Sequence, residues 1–189
     1  MSDSKWTVTA AAIPGARTDL AAGLLRRTLP WVLLCLSFDA AGAPVAAYQP
    51  LAFLAGHCWQ GTFPDGKQVD RHCFSWIYGG KFLRDAHVVQ APGHADYQGE
   101  TIYFWNSATR RIEYLYIENA GGFSLGSMST DQNDLLFAPT NHVTDGATQA
   151  YRSRWRRNGD HAYEVITEFQ SKDGWAPHFT VHMEAIAEQ

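Results

Sequence analysis

Residues 97–128 read YQGETIYFWNSATRRIEYLYIENAGGFSLGSM. Apolar and aromatic side chains alternate with polar ones, broken at Asn106–Arg110 and at the glycine pair Gly121-Gly122. Period-two alternation between turn residues is the pattern of half-buried antiparallel strands. Three short strands follow: Tyr97–Trp105, Arg111–Glu118 and Phe123–Met128. Facing Tyr103 with Tyr114 also faces Trp105 with Ile112 and Thr101 with Tyr116. One surface of this hairpin is therefore aromatic, and a slip of one residue would send all of it to the other face.

The same rhythm extends in both directions. Seven further strands are expected: Cys58–Phe63, Gln68–Ile77, Lys81–Val89, Asp134–Ala138, Ala150–Arg156, Ala162–Gln170 and Trp175–Ala185. Turn chemistry separates them, as at Pro64-Asp65-Gly66, Tyr78-Gly79-Gly80, Asn158-Gly159-Asp160 and Lys172-Asp173-Gly174. A short opening turn at 49–55 is the only helical signal in this region. Ten consecutive antiparallel strands in a flat sheet would expose two edges, and closure into an up-and-down barrel removes them. The expected fold is all-β, with one barrel domain over residues 48–189.

Late in the chain, parity places Trp155 opposite Tyr163, Val165 opposite Phe179, Tyr163 opposite Val181 and Phe169 opposite Trp175. These are assigned to the interior. Arg152, Arg154, Glu164, Glu168, His178, Thr180 and His182 fall on the opposite, solvent face.

Residues 1–47 read as a leader. Arg26 and Arg27 precede an apolar run, Leu29 to Phe38, and then a small-residue tract in which Val45 and Ala47 suit the −3 and −1 positions of a signal peptidase site. The run of about ten residues is too short for a membrane span of about 20. The expectation is a cleaved signal peptide and a periplasmic or secreted domain without a transmembrane segment. Residues 48–189 carry 11 basic and 16 acidic side chains. That balance argues against a nucleic-acid partner, which needs a concentrated basic surface.

Leu54, Gly56, Trp59 and Gly61 stand in the order L-x-G-x-x-W-x-G. This resembles the G-x-W opening of lipocalins and the G-x-W-x-G opening of nitrobindin-like barrels, with Cys58 lengthening the Gly–Trp spacing by one. Tyr78-Gly79-Gly80-Lys81-Phe82-Leu83 resembles a turn of bacterial calycin-like proteins. The resemblance implies a calycin barrel binding a small hydrophobic or amphipathic ligand, and for nitrobindins a haem. It carries over no haem-ligating histidine.

Four constellations could carry chemistry. Cys58 and Cys73 face each other if the Pro64–Lys67 loop closes the first hairpin, at a non-hydrogen-bonded pair within disulfide reach; buried free thiols and a metal or redox role are the alternatives. His57-Cys58 and His72-Cys73 look like paired ligands, but neighbours on a strand point to opposite faces. His178 and His182 share a face about 13 Å apart at 3.3 Å per residue. No pair has chelating spacing along one strand, so no metal site is expected; a lone histidine such as His87 is the place a metal or haem would attach. Glu100, Glu113, Glu164 and Glu168 could supply acid–base carboxylates, but such residues on strands serve mainly as partners of arginines.

Tyr103, Tyr114, Tyr151, Arg154, Trp155, Tyr163 and Phe179 form the candidate ligand-binding set. Arg154 either pairs with Glu164 outside or points inward as an anchor for an anionic group. No nucleophile elbow, P-loop or dinucleotide fingerprint is present. Three functions stay open: a binding barrel, an isomerase or hydrolase using the same cavity, and an envelope protein with a filled core. Converging ionisable groups inside the barrel would favour the enzyme.

Overall fold

The computed structural model describes residues 46–187. The leader expected at 1–47 lies outside the described residues, apart from Ala46 and Ala47. Among the described residues no helix is long and apolar enough to cross a membrane.

Ten antiparallel strands close into an up-and-down barrel: β1 (Cys58–Thr62), β2 (Val69–Ile77), β3 (Phe82–Gln90), β4 (Tyr97–Asn106), β5 (Arg111–Glu118), β6 (Phe123–Asp131), β7 (Asp134–Thr144), β8 (Ala147–Arg157), β9 (Ala162–Ser171) and β10 (Gly174–Ile186). Each pairs with its sequence neighbours, and β1 pairs with β10 at the seam. Tyr103 faces Tyr114, Trp105 faces Ile112 and Thr101 faces Tyr116, as the alternation requires.

One end of the barrel is plugged. A 3-10 helix, Ala46–Leu51, and the turn after it pack at the end of the barrel that carries the β2–β3, β4–β5 and β8–β9 hairpins, touching Lys81, Trp105, Tyr163 and Arg157. Tyr48, Leu51, Leu54 and Trp59 are almost wholly buried there. Trp59 Nε1 donates to the Leu54 carbonyl at 3.3 Å. The Tyr48 hydroxyl donates to the Lys81 carbonyl at 2.6 Å and accepts the Trp105 N–H at 2.7 Å, tying the plug to β3 and β4. Phe53 packs edge-on against Trp59 and Tyr163, and the Arg157 guanidinium lies 4.6 Å over its ring. The L-x-G-x-x-W-x-G motif is thus the plug and its anchor to the first strand.

Cys58 and Cys73 form a disulfide. Phe63 N–H bonds the Gln68 carbonyl, which makes that pair hydrogen-bonded and, counting along the ladder, the cysteine pair non-hydrogen-bonded.

The bounds of β7 and β8 and all four late pairings need correction. β7 does not end at Ala138 but runs to Thr144, and β8 starts at Ala147 rather than Ala150. A bulge between Phe137 and Thr140 takes up Pro139, so the ladder resumes beyond it. Trp155 faces Val165, not Tyr163. The turn is odd-numbered as expected, but Asn158 pairs with Ala162, so it centres one residue later and Tyr163 slides opposite Arg157. Trp175 faces Gln170, not Phe169, because Gly174 pairs with Ser171 and leaves a two-residue turn. That puts Trp175 outside, with the Arg152 guanidinium 4.8 Å from its ring. A bulge at Pro177–Phe179 then restores parity but leaves the register two residues on: Phe179 faces Thr167 rather than Val165, and Val181 faces Val165 rather than Tyr163.

Candidate functional site

The open end leads into a cavity of about 710 Å³. Its wall combines the inward positions of most strands. Tyr103 (β4), Tyr114 (β5), Tyr151 and Trp155 (β8) and Phe179 (β10) all line it, with Phe137, Val165 and Phe169. Five of the seven expected binding residues are therefore brought together. Tyr163 is not on the wall: it is 1% exposed, stacked on Trp155 and edge-on to Trp59 at the plug, with its hydroxyl unpartnered.

Arg154 is also off the wall, and its inward reading is corrected. It sits at an outward position of β8, donating to Asp134 at 2.6 Å and Asp131 at 3.2 Å. Its expected partner Glu164 is held instead by Arg156 at 2.7 Å and His182 at 3.2 Å. Arg152 bonds Glu168 at 2.6 Å. Glu100 bonds Arg84, and Glu113 bonds Asn106 and Thr109. Each of these four glutamates is engaged at the surface.

β2 and β3 supply two carboxylates and two imidazoles to the cavity, and β7 adds His142. Asp70-Arg71-His72 and Asp85-Ala86-His87 repeat an Asp-x-His pattern, which puts all four acid and imidazole side chains on one face. Register sets His72 directly opposite His87. Their rings stack at 4.7 Å between centroids. His72 Nδ1 donates to Asp85 at 2.9 Å, and Nε2 donates to Asp70 at 3.1 Å. His87 Nδ1 lies 3.4 Å from the other oxygen of Asp70, and its Nε2 lies 3.1 Å from the Tyr116 hydroxyl. Tyr116 in turn meets the Tyr97 hydroxyl at 2.6 Å, near the mouth. A hydrogen-bonded chain runs from buried Asp85 to the rim.

Burial disfavours charge on His72, but Asp85 and Asp70 outweigh it and hold the imidazolium form well above the usual histidine range. Burial likewise opposes charge on Asp70, yet the His72 cation and the bonds from both histidines hold its carboxyl far below the usual range. Burial pushes the Tyr103, Tyr114 and Tyr116 phenols up, so they stay neutral donors.

Gly99 makes room for this cluster. It faces His87 across the ladder, and a Cβ there would collide with the His87 and Tyr116 rings. A second polar trio is structural. Ser124 Oγ is 3.1 Å from His142 Nδ1, but Ser124 is wholly buried and the Glu118 carboxylate is bonded to the N–H groups of its own turn, Ala120 and Gly122.

A haem does not fit these residues. Asp70 and the stacked His72 ring occupy the space beside His87 Nδ1, and Tyr116 holds Nε2, so neither nitrogen is clear for an axial bond to a porphyrin iron. The expectation that no histidines chelate rested on spacing along single strands. Across β2 and β3, ligand-type atoms of Asp70, His72 and His87 lie within 4.8 Å of one another. The paired Asp-x-His pattern was the available signal, and it needed the β2–β3 register to be read.

Fold and cavity together define a closed ten-stranded antiparallel barrel with an aromatic-lined interior cavity, an architecture compatible with the calycin group. No protein-family model matches the sequence, and no curated protein is significantly similar to it.

Proposed function

We propose that this chain is an exported barrel that binds a small amphipathic molecule. Its apolar body would rest among Tyr103, Tyr114, Phe137, Trp155 and Phe179, and its polar group against Asp70, His72 and His87. The observation that carries the reading is the cavity of about 710 Å³, closed below by the plug and walled by aromatics. A volume of this order suits a drug-sized molecule. The calycin-like motif at Leu54–Gly61 supports the same reading, and the disulfide together with the leader supports export.

Native mass spectrometry of protein purified from the exported fraction tests it. The expected result is a co-purifying small-molecule mass on a protein two hydrogens lighter than its dithiol form. A bare protein that also fails to quench Trp155 with any apolar probe, or two free thiols, would count against it.

One observation favours the second reading, an isomerase or hydrolase in the same cavity. Asp70, His72 and His87 converge within hydrogen-bond reach beside the apolar wall, the arrangement general acid–base chemistry needs. If the bound molecule is recovered chemically changed, and His87→Gln stops the change without stopping binding, the enzyme reading holds.

A further inference from the structure

We propose that Asp70, His72 and His87 bind one divalent first-row transition-metal ion, with an open coordination position facing the cavity. The site goes beyond ligand binding and does not depend on an organic occupant. The donor set is two imidazoles and one carboxylate, as in catalytic zinc and non-haem iron(II) centres, which keep positions free for water or substrate.

Distances support it. Donors held about 2.1 Å from a tetrahedral ion stand about 3.4 Å from one another. His72 Nε2 and Asp70 Oδ2 are 3.1 Å apart, and His87 Nδ1 and Asp70 Oδ1 are 3.4 Å apart. All three donors lie within 4.8 Å of one another, and closing them on one ion requires the His72 and His87 rings, stacked at 27°, to turn so that both nitrogens aim at it.

The supporting contacts are those of a metal centre. A ligating histidine fixes its other ring N–H on a carboxylate or another oxygen. His72 keeps Nδ1–H on Asp85, which is 1% exposed and, among the described residues, forms an ion pair with His72 alone. His87 presents Nε2 to the Tyr116 hydroxyl. Metal binding releases the His72 Nε2 proton to solvent and requires the His87 ring proton on Nε2, where the Tyr116 oxygen accepts it. The charge of the ion then balances Asp70 and Asp85. The open position would take water, or a carboxylate, enolate or hydroxyl oxygen of a cavity ligand.

The test is calorimetric titration of the chelator-treated full chain with Zn²⁺, alongside Co²⁺ absorption spectra. The expected result is one tight site, visible Co²⁺ d–d bands, and loss of both in His87→Ala. Asp85→Asn should weaken Zn²⁺ by about 10–100-fold. His182→Ala, which removes an exposed histidine beside Glu164, should leave the tight site intact. Zn²⁺ affinity unchanged in His87→Ala, affinity lost only in His182→Ala, or no Zn²⁺ binding and no d–d bands in the unaltered chain would each overturn the proposal. Near-ultraviolet circular dichroism checks that the variants fold; should His87→Ala fail, His87→Gln replaces it, and the Co²⁺ spectrum of the unaltered chain needs no variant.

Discussion

His72 is held from both sides, since both ring nitrogens face carboxylates in a buried setting. In chelator-treated protein its raised folded pKa means a contribution to stability that is full below about pH 6.5, the unfolded value, and lost as pH rises through the folded value. Asp70 acts the other way: its lowered pKa stabilises above about pH 3.9 and is lost as pH falls toward the folded value. Both contributions are complete between about pH 4 and 6.5. Chemical denaturation across pH should therefore show maximal stability there, and His72→Gln should flatten the alkaline limb. Tyrosines give a contrast at the same scale. Tyr163 buries an unpartnered hydroxyl, so Tyr163→Phe should be neutral or stabilising. Tyr48 joins two backbone groups, so Tyr48→Phe should cost about 1–3 kcal/mol. Denaturation midpoints of the two variants decide it; an equal loss in both would show that the Tyr163 hydroxyl has a partner.

Strand β1 is the element on which closure depends. It is short, it pairs on one side with β10, and a disulfide ties it to β2 on the other. Cross-linking residues 15 apart removes freedom from the unfolded chain. Cys73→Ser should lower unfolding free energy by about 3 kcal/mol, read from urea midpoints under non-reducing conditions. Gly61 has no side chain because β10 passes close by: a Cβ there would stand 2.5 Å from the His182 carbonyl oxygen and from Val181 Cγ1. Gly61→Val should loosen the seam by about 1–3 kcal/mol and speed amide exchange in β1 and β10 while sparing β4 and β5. The plug is the second such element. Leu54→Ala, at a wholly buried position, should cost about 2–5 kcal/mol.

At the scale of the whole molecule, the barrel keeps a cavity of about 710 Å³ where a filled core would be more stable. Stability and occupancy are therefore linked. A ligand present at a hundredfold excess over its Kd should raise unfolding free energy by about 2.7 kcal/mol, or roughly 5–11 °C in Tm for a domain of this size. Thermal scans with and without the co-purified molecule measure this. Trp155, packed on Phe137 and exposed to the cavity, is the internal fluorophore for binding.

The fold was legible because its information is local: alternation, turn residues and hairpin parity fix strands, neighbours and faces within a few residues of each position. The same logic paired Cys58 with Cys73 and gathered Tyr103, Tyr114, Tyr151, Trp155 and Phe179 inside. It failed where a bulge or a turn shifted the ladder, at Pro139, at the β8–β9 turn and before Trp175, since hydrogen bonding to both neighbouring strands decides such shifts. Parity placed Arg154 outside, where it finds Asp134 on β7 and Asp131 on β6, and its alternative role as an inward anchor failed; Tyr163 shows the limit of parity, since an inward position left it at the plug rather than on the cavity wall. The inner cluster needed tertiary structure altogether. Asp70 and His87 are 17 residues apart, and only the register of two strands, with Gly99 leaving room beside them, brings their side chains within 3.4 Å.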